Sequence, residues 1–317
     1  MIRTDPLSSP AIAIVGAGAV GLFFGARLSA GGARVIYVTR GESLRILPQR
    51  GVKIESESSP LHVSTVEAVS DLHALPADVR LLLLATKTLD VPALLPELQS
   101  WCAQHPHAHV VPLQNGVENE STLVGALGAD SVLAGLAFLG SERVAPGVVR
   151  HYASGSLSLG PWRGVEVAAA KYWAAYLDTH GARCSYHDDM VTERWRKLFW
   201  NLAFNPTTAL TGLDSQAVAS SESALPLIRA LLREALGVAQ AEGAQLQWPD
   251  AERQIERTQH MPGTRTSMQV DRESGRPMEY DAIVGAVVRA ATRHGLNVPV
   301  TTTIYQLLAT IDGGRRG

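Results

Sequence analysis

Short apolar runs alternate with helix-like segments in the first half of the chain. The runs at residues 12–15, 35–38, 81–85 and 110–113 are continuous rather than alternating, which is typical of strands buried on both faces of a parallel sheet. Further strands are predicted at 52–54, 62–66, 132–138, 148–152, 156–159 and 183–186, and helices at 42–49, 91–101 and 164–180. This alternation predicts an α/β domain.

The pattern changes near residue 190, beyond which helical segments follow one another with hardly any strand. Helices are predicted at 193–205, 223–242, 251–260, 278–294 and 300–311, with a loop or short helix at 264–270. Pro206 should bend or end the first of these helices at Asn205. We therefore predict a flexible tail at 1–10, an α/β domain at 11–188 and an all-α domain at 189–317, frayed from residue 312.

A glycine-rich turn lies between the first two apolar runs, where residues 16–21 read Gly-Ala-Gly-Ala-Val-Gly. Gly16 permits a sharp turn, Gly18 lets the backbone approach a pyrophosphate, and Gly21 lets the following helix pack closely on the sheet. The amides and dipole at the start of that helix favour phosphate charge. Such a turn also occurs for purely structural reasons, but the strands on both sides favour a Rossmann-like dinucleotide-binding unit.

Three polar residues follow predicted strands at the edge where open α/β sheets hold their ligands. Arg40 ends the second strand, where a cation suits a 2′-phosphate and so favours NADP over NAD. Lys87 follows the strand at 81–85 and Asn115 follows the strand at 110–113. Both are candidates to bind the cofactor or the substrate. The alternatives are an exposed arginine, a solvated lysine and an ordinary Asn-Gly turn.

A second informative stretch is the predicted helix at 193–205. Lys197, Asn201 and Asn205 recur every four residues on an otherwise apolar helix, and this spacing places them on one face. Burying such groups without partners costs about 1 to 3 kcal/mol each, so the row must face water, a ligand or a polar network. A surface pair of Glu193 with Lys197 would explain the lysine but not the two asparagines.

Composition narrows the class of protein. At 317 residues the chain is long enough for two domains. Apolar residues make up 46% and the net charge is −2, which suits a soluble globular enzyme and gives no electrostatic footprint for nucleic acid. No apolar run approaches a membrane span, and the first ten residues lack a signal peptide, so we expect a cytoplasmic protein. The two cysteines and ten histidines show no metal-ligand spacing.

Several motifs together resemble the ketopantoate reductase (2-dehydropantoate 2-reductase) family. They are GAGAVG, TK after a buried strand, QNG after the next strand, WRKLFWNLAFNPTTAL, SMQVD and MEYD. The K-x3-N-x3-N-P block, with Ser267 and with Glu279 twelve residues later, is more specific than the glycine motif. Alone, this serine and glutamate would suit helix caps. The resemblance runs from about residue 11 to 308 and implies a Rossmann-like domain, an all-helical domain and a site in the cleft between them.

The resemblance also implies a role for each candidate residue. Lys197 would donate a proton to the ketone oxygen, while the hydroxyl and carboxylate ends of the substrate would be held by Asn201, Asn205 and Ser267. Asn115 would lie between nicotinamide and substrate, and Glu279 would contact the cofactor ribose and help to position the lysine. NADPH would be bound by Gly16, Ala17, Gly18, Ala19, Val20, Gly21, Arg40 and Lys87, together with Asn115 and Glu279.

Some positions depart from the family pattern. Residues 136–139 read Leu-Ala-Phe-Leu where members often carry threonines and a histidine. Ser215 stands where an asparagine is frequent, and Met278 where a threonine is usual. These changes leave the hydride chemistry intact but bear on the size of substrate accepted.

The resemblance leads to a specific prediction of function. We predict NADPH-dependent reduction of 2-dehydropantoate to pantoate, on the route to coenzyme A. The partner would be a small 2-keto acid, with no nucleic acid, membrane or metal; a homodimer is compatible with the sequence. Two alternatives stay open, a reductase of another branched 2-keto acid or imine and a non-catalytic NADP-binding sensor, since fold does not fix function.

Overall fold

The computed structural model describes residues 10–314. These residues form two compact units, one of residues 10–114 with 119–190 and one of residues 115–118 with 191–314. The chain thus passes to the helical unit after residue 190, two residues beyond the boundary predicted from sequence. Apart from Pro10, the predicted tail lies outside the described residues, as do residues 315–317.

The first unit contains ten strands and five α-helices in the part of the chain that the structure describes. They are β1 (Ala11–Val15), α1 (Ala19–Ala30), β2 (Val35–Val38), α2 (Gly41–Arg50), β3 (Val52–Glu55), β4 (Leu61–Val63), β5 (Glu67–Val69), β6 (Val79–Leu84), α3 (Val91–Gln104), β7 (His109–Pro112), α4 (Asn119–Leu127), β8 (Leu133–Ala145), β9 (Val148–Pro161), α5 (Val167–Leu177) and β10 (Cys184–Tyr186). The segment Asp178–Ala182 follows α5 directly and leaves helical geometry at His180 and Gly181.

A five-stranded parallel sheet has the order β5-β2-β1-β6-β7. The central strand β1 lies between β2 and β6, with Ile12 opposite Val35 and Val15 opposite Leu84. Every residue of β1, β2 and β7 is buried, because helices cover both faces of such a sheet. The predicted α/β class with a Rossmann-like sheet is confirmed.

A second sheet is built around the long hairpin of β8 and β9. Along its other edge β9 pairs in parallel with β3 and β10, and β3 pairs antiparallel with β4. The sequence predicted two strands where β9 is one. Phe138 faces Ser156 while Leu139 faces Ser154, so Gly155, at φ +116°, is an extra residue in a bulge that lets pairing continue.

The second unit is helical, as predicted. Its helices are α6 (Met190–Thr211), α7 (Ser215–Ser220), α8 (Leu225–Ala241), α9 (Trp248–Gln259), α10 (Ser267–Glu273), α11 (Ala286–Arg293) and α12 (Pro299–Gly313), with a π-helical turn, Asp281–Gly285, directly before α11. The end predicted to fray from residue 312 is ordered further, because Asp312 is buried and its Oδ1 accepts a hydrogen bond from the Met278 amide at 3.2 Å.

Pro206 is predicted from sequence to bend or end the first helix of this unit, and of these two outcomes the end is wrong. Helix α6 continues past the proline to Thr211. Proline removes one backbone donor, but the following threonines supply hydroxyl donors. Thr207 Oγ1 donates to the Ala203 carbonyl and Thr208 Oγ1 to the Phe204 carbonyl, both at 2.8 Å. These bonds tie the two residues after the proline to the preceding turn, while the carbonyl that Pro206 itself cannot bond is that of Leu202.

Both cysteines lie inside the first unit. Cys102 in α3 and Cys184 in β10 are buried and form no disulfide. Burial raises the pKa of the Cys102 thiol to about 11 and that of Cys184 to about 12, with Asp178 adding to the second. Within residues 10–314, no helix combines the length and apolar character needed to cross a bilayer.

Candidate active site

The glycine turn joins β1 to α1 in the first unit. Gly16 has φ +108°, and a Cβ there would lie 2.8 Å from the Thr86 amide nitrogen. A Cβ on Gly21 would lie 2.0 Å from the Gly16 carbonyl oxygen. Both positions therefore require glycine, and the close packing of helix on turn that the sequence predicted is present.

The backbone beside Gly18 is open. A Cβ there would meet a single neighbouring atom within 4 Å, the Ala85 carbonyl oxygen at 3.7 Å. Gly18 is also the N-cap of α1, and no side chain in residues 10–314 caps this helix end. A free helix N-terminus with room above it is the arrangement that accepts a phosphate group. The turn thus fits the pyrophosphate of a dinucleotide.

Two cations follow strands of the same sheet, one on each side of β1. Arg40 comes after β2, and 78% of its side chain is exposed, with Nη2 at 3.6 Å from Glu97 Oε2. An exposed pair at this distance contributes little, so the guanidinium can turn to a ligand. Lys87 is half-buried at the end of β6, and Thr86 beside it accepts a hydrogen bond from Gln114 Nε2 at 3.4 Å.

Three of the predicted site residues meet in the second unit. Asn115 Oδ1 accepts a hydrogen bond from Lys197 Nζ at 3.0 Å and another from Asn201 Nδ2 at 3.4 Å. Asn201 is buried, and Lys197 is half-buried. Glu193, considered from sequence as a partner of this lysine, accepts a bond from Arg196 Nε at 3.4 Å. The polar row on α6 therefore faces a polar cluster.

The turn that carries Asn115 is held from several sides. Gly116 has φ +105°, and a Cβ there would lie 2.5 Å from the Ala282 carbonyl oxygen. Arg194 Nη1 donates to the Gly116 carbonyl at 3.0 Å. At the end of the turn, Glu118 forms ion pairs with Arg289 at 2.8 Å and Arg293 at 2.9 Å. Sequence reasoning missed these contacts, because long-range partners of a short turn leave no periodic signal.

Asn205 lies two helical turns beyond Lys197 and is only 1% exposed. Its Oδ1 has no hydrogen-bond partner within residues 10–314. A buried acceptor without a partner costs about 1 to 3 kcal/mol, so such an atom needs an explanation. The position of Asn205 in the polar row suits one explanation, a bound ligand that donates a hydrogen bond to Oδ1.

Ser267 is the first residue of α10 and is exposed. Thr266, the N-cap of that helix, lies against α6, with its Oγ1 at 2.7 Å from Thr208 Oγ1. At the other end of α10, Arg272 Nη1 donates to the carbonyls of Ala209 and, at 3.3 Å, Leu210. Both ends of α10 are thus tied to α6, which holds Ser267 beside the turn that follows Asn205.

Glu279 is half-buried and precedes the π-helical turn that contains Ala282. Because the backbone of Ala282 packs against Gly116, the segment that carries Glu279 lies next to the turn that carries Asn115. Within residues 10–314, no group of three or more acidic, histidine or cysteine side chains could hold a metal ion. The candidate residues of this unit offer the ammonium of Lys197, the amides of the asparagines, the hydroxyl of Ser267 and the carboxylate of Glu279.

These features define a class of protein. The first unit is Rossmann-like and has a glycine turn that fits a phosphate, and the helical unit brings a lysine and amides together. This combination is typical of an oxidoreductase that uses a nicotinamide dinucleotide on a small polar substrate.

Comparisons with known proteins identify the particular family. The model of the family "Ketopantoate reductase PanE/ApbA" matches residues 12–164, and the model of its C-terminal domain matches residues 189–312. The 2-dehydropantoate 2-reductase of Caulobacter vibrioides is 31% identical, covering 94% of this chain and 97% of its own. The chain belongs to the ketopantoate reductase family. This membership and the fold imply an oxidoreductase acting on CH–OH groups with a nicotinamide dinucleotide.

Solved structures agree with the family. The crystal structure of 2-dehydropantoate 2-reductase from Methylococcus capsulatus has 31% identity and a TM-score of 0.87, covering 97% of this chain and 98% of that one. The ternary structure of D-mandelate dehydrogenase with NADH and anilino(oxo)acetate has a TM-score of 0.87 at 22% identity, covering 97% and 100%. The second likeness shows a shared fold.

Proposed function

We propose that this protein reduces 2-dehydropantoate to pantoate with NADPH, a step of pantothenate and coenzyme A biosynthesis. The observation that carries the proposal is the cluster of Lys197, Asn201 and Asn115, in which an ammonium is held by an amide oxygen at 3.0 Å. The relatives named 2-dehydropantoate 2-reductase support the choice of substrate.

The first unit supplies the proposed cofactor site. The amides of residues 16–21 hold the pyrophosphate, Arg40 the 2′-phosphate, and Lys87 a further part of the cofactor. Arginine suits this role because its fork of donors matches a phosphate. The bound cofactor supplies a hydride to the keto carbon.

The second unit supplies the proposed acid and the substrate contacts. As negative charge builds on the ketone oxygen, the ammonium of Lys197 stabilises it and transfers a proton from Nζ to that oxygen. Asn115 Oδ1 holds Nζ in place beforehand. Asn201, Asn205 and Ser267 bind the hydroxyl and carboxylate ends of the substrate. Glu279 contacts the cofactor ribose and helps to position the lysine.

The test of this proposal is the initial rate with ketopantoate and NADPH, measured for the wild type and Lys197→Met. Loss of the proton donor should lower kcat by roughly 100- to 10,000-fold, with NADPH affinity nearly unchanged. Lys171→Met, in the other unit, is the control and should keep the wild-type rate. A wild type without turnover, or a Lys197→Met variant with full kcat, would overturn the proposal.

A second candidate is the reduction of another branched 2-keto acid or an imine. The fold that this chain shares with a D-mandelate dehydrogenase favours this candidate. The apolar stretch at residues 136–139 does not distinguish the substrates, since Leu136 and Ala137 are buried in the first unit. A panel of substrates decides. If Asn205 recognises the hydroxyl of ketopantoate, 3,3-dimethyl-2-oxobutanoate, which differs from ketopantoate only in lacking that hydroxyl, should have a kcat/KM lower by about 100-fold or more. A non-catalytic sensor would bind NADPH and reduce none of them.

A further inference from the structure

We infer that Arg194 is the positioning residue of this active site, acting through the turn that carries Asn115. The inference deepens the proposed function and rests on it for the reaction, but its structural part concerns residues 115–116 alone. Arg194 touches the turn's backbone, and we assign it no contact with substrate or cofactor.

One helix contacts both residues of the dipeptide. Arg194 and Lys197 stand three positions apart on α6 and therefore share a face. Arg194 Nη1 donates to the carbonyl of Gly116 and Lys197 Nζ donates to Oδ1 of Asn115, each at 3.0 Å. The first bond holds the Gly116–Val117 peptide, one residue beyond Asn115, and the second ends on the Asn115 side chain.

The dipeptide also packs against the backbone of Ala282. With Gly116 at φ +105° and a Cβ there only 2.5 Å from the Ala282 carbonyl oxygen, the turn has no room to move toward Ala282. The Gly116 carbonyl is thus confined between the arginine and the backbone of the π-helical turn. Its direction in turn fixes the position of the Asn115 amide.

Burial distinguishes Arg194 from the two other arginines that contact this turn. Arg289 and Arg293, which pair with Glu118, keep 44% and 50% of their side chains exposed, and exposed pairs are weak restraints. Arg194 is 2% exposed. A buried guanidinium is costly to desolvate, and leaving its partner unpaired is costly too, so this contact restrains the turn more firmly.

The restraint matters during the reaction. When Lys197 Nζ turns from Asn115 Oδ1 to the ketone oxygen, the asparagine loses one of the bonds that hold it. Arg194 does not take part in that exchange and keeps the turn in place. A misplacement of about 1 Å at a reacting centre can cost about 100-fold in rate, so loss of this bond should reduce kcat more than substrate affinity.

The experiment compares Arg194→Met, Arg194→Lys and Arg196→Met. Arg196 lies on the same helix but bonds Asp250 at 2.6 Å and Glu193, so its variant controls for loss of an arginine from α6. Two quantities are measured: the steady-state kcat and KM for ketopantoate, and amide hydrogen exchange of the peptide containing residues 115–118.

The expected result for Arg194→Met is a fall in kcat of about 10- to 100-fold, a smaller change in KM, and faster exchange at residues 115–118. Arg194→Lys, which keeps one donor, should restore part of both, and Arg196→Met should alter neither. If Arg194→Met does not fold, Arg194→Lys is compared with Arg196→Lys. Faster amide exchange at residues 115–118 in the first variant alone then shows whether Arg194 holds the turn.

A kcat within twofold of wild type, or unchanged exchange at the turn, would overturn the assignment. The two proposals fail separately. If the wild type reduces no 2-keto acid, the proposed function fails, while the exchange rates still decide whether Arg194 holds the turn.

Discussion

Asn205 allows a test, at the scale of one residue, of the proposal that a buried polar group is kept for binding. Its buried Oδ1 has no partner within residues 10–314, and replacing such an acceptor with an apolar group of similar size removes a desolvation cost. Asn205→Leu should therefore stabilise the ligand-free protein by about 1 kcal/mol, raising Tm by about 2 to 4 °C. Thermal unfolding measures this, and the KM for ketopantoate should rise.

Asn119 is the matched control for this prediction. It is also buried, but its Nδ2 donates to the Gln114 carbonyl at 3.2 Å. Asn119→Leu should lower Tm, because it leaves that carbonyl without this donor. If Asn205→Leu also lowered Tm, Asn205 would be satisfied in solution and the ligand interpretation of its acceptor would be wrong.

Replacement of Arg40 tests the proposed preference for NADPH over NADH. Its exposed guanidinium is held only by a 3.6 Å ion pair with Glu97 among the described residues. Charge-assisted bonds to a 2′-phosphate contribute about 1.5 to 3 kcal/mol, so Arg40→Ala should raise the Kd of NADPH about 10- to 150-fold and leave NADH nearly unchanged. Fluorescence titration with both cofactors measures this. Arg45→Ala, one turn into α2, should change neither; equal loss for both cofactors contradicts the assignment.

At the scale of elements, Thr208 joins α6 to α10. Its hydroxyl donates to the Phe204 carbonyl past Pro206 and lies 2.7 Å from Thr266 Oγ1. Thr208→Val keeps the shape but removes this buried link, which should cost about 1 to 3 kcal/mol of unfolding free energy. Urea unfolding measures the loss. Thr302→Val in α12 is the control, since the half-buried Thr302 hydroxyl bonds its own helix, at the Val298 carbonyl. Equal losses of unfolding free energy in the two variants would show that the link to α10 is unimportant.

Elements with a strong local pattern were predictable, and elements made by tertiary pairing were not. The buried strands β1, β2, β6 and β7 lie within about two residues of their predicted positions, because continuous apolar runs report burial on both faces. The three-residue strand β5 carries no such run; only its pairing with β2 makes it a strand. Helix α7, with six residues, is also too short for a clear helical pattern. Pro206 did not end α6, because the packing of this largely buried helix overrides the low helical propensity of proline.

The candidate site was predictable in a similar, partial way. The spacing of Lys197, Asn201 and Asn205 marked a shared face, and the motif pointed to Asn115. Arg194 was missed, because an arginine on a helix is ordinarily a solvated residue. Its partner is a backbone carbonyl 78 positions away, which no local pattern could reveal.

At the scale of the whole molecule, one histidine should affect stability in mild acid. His109 is buried at the start of β7, its Nδ1 accepts from Trp173 Nε1 at 3.3 Å, and its Nε2 is 3.6 Å from Glu166. Burial lowers the pKa of His109 below its ordinary value of 6.5, despite the opposing charge of Glu166. The unfolded chain then binds the proton more readily than the folded protein. The contribution of neutral His109 to the free energy of unfolding is therefore complete above pH 6.5 and is lost as the pH falls below that value.

The measurement is Tm at about pH 7.5 and about pH 5.5, on either side of the ordinary histidine pKa. His109→Gln keeps an acceptor for Trp173 but cannot titrate, so its Tm should fall less between these two values than that of the wild type. The exposed His73→Gln should behave as the wild type. An identical fall in all three proteins would mean that His109 is protonated as easily folded as unfolded.

The two interior cysteines make this chain convenient for site-directed labelling. With thiol pKa values of about 11 and about 12 and little solvent access, fewer than about one thiol in a thousand is a thiolate at neutral pH. Maleimide reagents should pass over both in the native protein. A cysteine introduced on an exposed helix could then carry a fluorophore without first replacing Cys102 and Cys184.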